Sequence, residues 1–216
     1  MFKNREEAGK KLADKLKHLK SENLVVLAIP RGGVVVGKIL SQELDCPLEV
    51  MVVRKIGAPG NPELAIGALG PDETVVWNHD ILNQLRLSPE RLAPEIGNLK
   101  LEIRERTEKF GNKNIELKDK TVVLTDDGIA TGATTEAAIA WIKLQKPKEI
   151  ILAVPVAPPE VVEKFKNLVD EAVFLETPAF FSAVGQFYED FPQVEDDEVV
   201  KLLKDAIRPP SAAKNR

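Results

Sequence analysis

Five short apolar runs, at 24–29, 48–53, 121–125, 150–154 and 172–175, constrain this chain more than any other feature of its 216 residues. None alternates with polar residues as a strand with one wet face does, and stretches of helical periodicity separate most of them. A strand that is apolar on both sides needs cover on both faces, and a chain that returns through a helix lays its strands parallel. Helices are expected at 34–44, 134–145, 158–168 and 196–207. A further one opens the chain, where Asn4 and Glu7 offer a capping box ahead of Ala8, Leu12, Leu16 and Leu19. The expected fold class is α/β, a single doubly wound, mostly parallel sheet with helices on both faces, and the length suits one such core.

Two regions interrupt the rhythm. Residues 72–118 hold a short strand around Val75 and Val76 and a Ser88-Pro89-Glu90 helix start, which describes an inserted edge hairpin with one or two helices. Residues 176–193 carry Phe180, Phe181, Phe187, Tyr188 and Phe191, five of the nine Phe and Tyr residues of the chain. One domain is therefore expected over 1–208, with a polar tail at 209–216. The formal charge of −4 excludes the basic field that gathers nucleic-acid phosphates. The single cysteine, Cys46, reads as a small core residue in a reducing compartment. No unbroken apolar stretch marks a signal peptide or membrane span, so a cytoplasmic protein with no membrane and no nucleic-acid partner is expected. Arg104, Arg106 and Lys109 lie among Glu102, Glu105 and Glu108 and read as a solvated helix face with local ion pairs. His18 and His79 have no companion at metal-ligand or triad spacing.

Chemistry concentrates after the third apolar run. VVLT leads directly into Asp126 and Asp127, then into Gly128-Ile129-Ala130-Thr131-Gly132-Ala133-Thr134 at a helix start. Two carboxylates thus stand at the carboxyl end of a central strand, where open α/β sheets keep their ligands. The small residues leave the N–H groups of Ala130, Thr131, Gly132, Ala133 and Thr134 uncovered, and a helix N-terminus favours an anion there. Donors for a phosphate beside acceptors for vicinal hydroxyls describe a sugar-phosphate site. The plainer alternative is a polar turn with glycines supplying its geometry. A second short loop, Pro30-Arg31-Gly32-Gly33, follows the first apolar run. A third segment, 54–63, starts with Arg54 and Lys55 and is dense in turn residues, which reads as a mobile loop.

The whole string VVLTDDGIATGAT resembles the signature by which type I phosphoribosyltransferases bind 5-phosphoribosyl-1-pyrophosphate (PRPP), with Gly128 standing where an aliphatic residue is usual. The resemblance implies that Ala130, Thr131, Gly132, Ala133 and Thr134 hold the 5′-phosphate. It implies that Arg31, Gly32 and Gly33 hold the pyrophosphate, often around a non-proline cis peptide, and that Arg54, Lys55, Asp126 and Asp127 are catalytic. It further implies closure of segment 54–63 over the site, Mg²⁺ carried by PRPP and water with Asp126 and Asp127 as the nearest protein carboxylates, and a homodimer. The implied activity is transfer of the phosphoribosyl group to a nitrogenous acceptor, a nucleobase, with release of pyrophosphate. Arg-Lys-x-Gly-x-Pro and Asp-Asp-x-x-Ala-Thr-Gly are similar to runs in adenine phosphoribosyltransferases. Residues 177–185 resemble the hood of the 6-oxopurine enzymes, which makes Phe180, Phe181 and Val184 the acceptor-binding candidates, with Phe181 ahead of Phe180 as the ring that stacks on a base; the plainer alternative is that these aromatics fill a small core beneath a loop. Those enzymes carry an aspartate proton acceptor where this chain has Ala130. A PRPP-sensing regulatory protein without transfer activity stays open as an alternative. A PRPP synthetase would need a longer chain and an ATP site, and neither GxGxxG nor GxxxxGK[ST] is present for a generic nucleotide binder.

Overall fold

The computed structural model describes residues 1–19, 23–111 and 116–206. The tail expected at 209–216 and the end of the 1–208 unit lie outside them. Eight strands occur among these residues: β1 (Leu24–Ala28), β2 (Leu48–Val50), β3 (Arg54–Ala58), β4 (Asn61–Leu69), β5 (Val75–Trp77), β6 (Thr121–Thr125), β7 (Glu149–Val156) and β8 (Glu171–Glu176). The helices are α1 (Arg5–Lys15), α2 (Gly33–Leu44), α3 (His79–Leu85), α4 (Ala93–Phe110), α5 (Ala133–Leu144), α6 (Pro159–Lys166) and α7 (Asp196–Ala206). Five strands make one sheet in the order β2-β1-β6-β7-β8, and every pairing within it is parallel.

The unbroken apolar runs find the double cover they require. Val26, Ala28, Val123, Ile151 and Ala153 share a core with Leu12 of α1 and its C-cap Leu16, Leu40 of α2 and Val199 of α7. Their neighbours in sequence, Val25, Leu27, Val122, Leu124, Ile150 and Leu152, turn to the other face and pack with Trp141 of α5 and Phe165 of α6. Asn4 caps α1 by accepting from the Glu7 amide at 3.0 Å. The Glu7 carboxylate accepts from the Lys3 amide at 2.6 Å, one residue before the position a capping box uses.

Three expectations need correction. Only residues 48–50 of the run 48–53 pair in the sheet, because the chain leaves its edge there to enter a second, antiparallel sheet in the order β3-β4-β5. Met51, Val52 and Val53 remain buried without being strand. The segment 54–63 is not an irregular loop but the β3–β4 hairpin, with Arg54 opposite Leu69 and Lys55 opposite Ala68. Its bend comes at Gly60, whose φ of +77° suits glycine. The charges of α4, finally, pair mainly with other elements: Arg104 with Glu73, Lys109 with Asp196, and Glu102 with Arg54. Helical spacing told of a polar face but not of its partners. His18 approaches Glu171 at 3.6 Å, and burial pushes the half-buried Cys46 thiol up to about 12, which suits its reading as a packing residue. No described helix is long and apolar enough to cross a membrane.

Candidate active site

The register of the central strands sets the site. Ala28 lies opposite Thr125, so β1 and β6 end at the same level and the segments that follow emerge side by side. The first, residues 30–33, runs into α2 through the Pro30–Arg31 peptide, which is cis, as the resemblance implies. The second, residues 126–132, runs into α5, whose cap Gly132 has a φ of +79° and leaves no room for a side chain against Phe165. In both places the chain changes from strand to helix, and the first helical N–H groups have no intrahelical partner. The amides of Arg31, Gly32 and Gly33 find no acceptor among the described residues, nor do those of Ala130, Thr131, Gly132, Ala133 and Thr134. Two helix N-termini with open donors therefore flank the carboxylates of Asp126 and Asp127. The Thr131 and Thr134 side chains are exposed.

The carboxylates are not equivalent. Asp126 accepts from the Asp127 amide at 2.8 Å. Burial and, after it, the neighbouring Asp127 carboxylate raise its pKa well above the ordinary carboxylate range. Asp127 lies over Gly32, where a Cβ would stand 1.8 Å from Oδ2, so the approach of the two loops depends on that glycine. Its Oδ2 accepts from Arg5 Nε at 2.7 Å, and its backbone carbonyl accepts from the Tyr188 hydroxyl at 2.6 Å. Arg5 is 7% exposed, a buried cation that also donates to the Pro192 carbonyl at 2.8 Å and lies 3.7 Å over the Phe191 ring. A cavity of about 420 Å³ opens between these groups, lined by Arg5, Arg31, Gly32, Asp127 and residues 191–194.

The structure does not bring every candidate together. Arg31 reaches the cavity, with its guanidinium turned toward Glu195 at 3.4 Å and Asp196 at 3.7 Å. Arg54 and Lys55 do not line it. Arg54 pairs with Glu102, and Lys55 pairs with Glu63 beside a second cavity of about 420 Å³ against α5, lined also by Trp77, Ala133 and Glu136. Segment 176–193 folds onto the N-terminus: Phe2 bridges to Tyr188 with the two rings tilted 5.4 Å apart, and Phe181 packs against Phe187 at 5.1 Å. Phe180 is 91% exposed, and its backbone carbonyl accepts from Gln186 Nε2 at 3.2 Å. Val184 sits on Gly128, where a Cβ would lie 2.4 Å from Val184 Cγ1. Gly128 has no positive φ, so its departure from the family pattern is a matter of space and not of backbone conformation.

Residues 2–191 match the family model described as phosphoribosyl transferase domain. The chain belongs to this family. Two curated proteins of Mycobacterium tuberculosis (strains CDC 1551 and H37Rv), provisionally named phosphoribosyl transferases, are 42% identical to it over 210 residues. These residues are 96% of this chain but 47% of theirs, so the chain spans about half the length of the curated relatives it matches. The crystal structure of TT1426 from Thermus thermophilus superimposes with a TM-score of 0.88 at 40% identity, covering 94% of this chain and 98% of that one. The similarity announced by VVLTDDGIATGAT is thus a membership. For a phosphoribosyl transferase domain, the residue that the sequence did not announce is Arg5. An arginine in a charged amphipathic helix reads as solvent-facing, and the only local sign against that is its place one residue after the cap, on the buried side of α1.

Proposed function

We propose that this protein transfers the 5-phosphoribosyl group from PRPP to a nitrogenous acceptor, a nucleobase, with release of pyrophosphate. One observation carries the reading: two sets of uncommitted backbone amides, each at a helix N-terminus, flank a carboxylate pair at the ends of adjacent strands. PRPP has the matching order of groups, a phosphate at one end, a diphosphate at the other and vicinal hydroxyls between. On this reading Ala130, Thr131, Gly132, Ala133 and Thr134 take the 5′-phosphate, and Arg31, Gly32 and Gly33 take the diphosphate. Asp126 and Asp127 accept the ribose hydroxyls and hold the sugar in one orientation, which lowers the entropic part of the barrier.

The donors fixed at 31–33 stabilise the charge that builds on the departing pyrophosphate without having to reorganise. Arg54 and Lys55 join them when the β3–β4 hairpin moves over the cavity, which also excludes water and so protects PRPP from hydrolysis. Phe180, Phe181 and Val184 form the acceptor side, with the exposed Phe180 ring free to stack on a base. The carboxylate oxygens fit a hard cation that arrives with its phosphates: Asp127 is already committed to Arg5, and no group of three or more His, Cys, Asp or Glu side chains among the described residues could hold a metal alone. Mg²⁺ carried in this way supplies charge neutralisation at the diphosphate. We take the working form to be a cytoplasmic homodimer, with residues 1–208 as the catalytic unit.

The test is pyrophosphate release from Mg-PRPP across a panel of purine and pyrimidine bases, with a no-acceptor control. Release with one base, abolished by Asp126→Asn/Asp127→Asn, is expected. PRPP binding without release for any base would turn the reading toward a PRPP sensor.

A further inference from the structure

Arg5 is a buried guanidinium whose donors are not all used. Of the five N–H bonds an arginine carries, one from Nε goes to Asp127 and one from Nη1 goes to the Pro192 carbonyl. The remaining donors find no acceptor among the described residues, although the side chain is only 8% exposed. No Arg5 nitrogen is among the buried atoms left without a partner, so the open donors reach the solvent side of the guanidinium. The space it faces is the cavity shared with Arg31 and Gly32. Its Nε lies 3.0 Å from where a Gly32 Cβ would be, against the loop whose amides are uncommitted. The orientation of the guanidinium is fixed, since the Phe191 ring lies beneath it and two hydrogen bonds hold its plane.

We propose that Arg5 is a ligand-binding residue that donates directly to the oxygens of a diphosphate held on the amides of residues 31–33. The proposal rests on the reading of the site given above and adds a cation that lies outside its sequence signature. Arg5 then has two functions on two edges of one plane, fixing Asp127 through Nε and meeting the diphosphate through the open N–H bonds. The ring and carbonyl that hold Arg5 belong to residues 191 and 192, so the segment that carries the acceptor candidates also fixes the diphosphate donor.

Inorganic pyrophosphate separates direct contact from an effect relayed through Asp127, because it has no ribose hydroxyls. Titration calorimetry with Mg-pyrophosphate and Mg-PRPP should show R5Q weakened for both by about 10- to 100-fold, the scale of a lost charge-assisted hydrogen bond. Asp127→Asn should weaken PRPP only. Pyrophosphate binding by R5Q equal to that of the wild type would overturn the proposal, since Arg5 would then act only by positioning Asp127. If R5Q does not fold, the wild-type protein serves: the arginine Nε–Hε resonance that is absent from R5K must shift when pyrophosphate is added, and an unmoved resonance would overturn the proposal equally. A wild-type protein that binds neither PRPP nor pyrophosphate would instead remove the reading of the site itself.

Discussion

The loops at 30–33 and 126–134 carry uncommitted backbone amides, of which the first loop and Asp127 line the cavity, whereas the segment at 176–193 gives the cavity side chains, and loops and segment are built in different ways. The loops owe their shape to local sequence: small residues, a helix start behind each, and strands whose ends are level at Ala28 and Thr125. The segment owes its shape to residues far along the chain. Phe2 pairs with Tyr188, Arg5 stacks on Phe191, and Val184 fills the space that Gly128 leaves. A site that presents amides is written in one stretch of sequence, while a site that presents rings depends on whatever packs behind the rings.

The contact between Gly128 and Val184 is where the two regions can be driven apart. Gly128→Val should cost about 1–3 kcal/mol by overpacking. Val184→Ala in the same chain should recover part of that loss, as seen in chemical denaturation. Independent effects of the two substitutions would mean that the segment does not rest on the loop.

A smaller effect sharpens the account of the loop alone. Because the native pKa of Asp126 is raised, the folded protein keeps a proton that the unfolded chain releases above its own pKa, near 3.8. Stability from this source is full below that value and is lost as pH rises through the raised one. Asp126→Asn, neutral at every pH, should therefore gain stability relative to the wild type across this window and level off above it. A difference that stays constant with pH would contradict the burial of that carboxyl. The smallest effect belongs to the rim: Phe180→Ala should change stability by less than about 0.5 kcal/mol, the scale of an exposed substitution. The same variant should raise KM for the acceptor and leave KM for PRPP unchanged. A marked loss of stability would mean that the ring packs into the segment and is not free to stack on a base.

The same contrast explains what could be seen beforehand. The double-sided apolar runs announced the parallel sheet and its two layers of helices, because burial on both faces leaves a pattern in each strand. The phosphate-loop candidate at 130–134 followed from residue type at a helix start, and the one at 31–33 only from the family resemblance. The second sheet did not: turn residues at 58–62 read as a loop, yet pairing of β3 with β4 is decided by partners up to fifteen residues apart, Arg54 with Leu69. Arg5 was hidden for a related reason. Its burial is set by Asp127, Phe191 and Pro192, none of them near it in sequence.

The central claim is that the paired loops and their carboxylates hold PRPP, and calorimetric titration of Mg-PRPP into the wild-type protein and the Asp126→Asn/Asp127→Asn variant tests it most directly. Saturable binding by the wild type, weakened by roughly 100-fold or more in a variant of unchanged fold, is the predicted result for two lost hydrogen bonds to charged groups. Equal affinity in the two proteins, or none in the wild type, would contradict it.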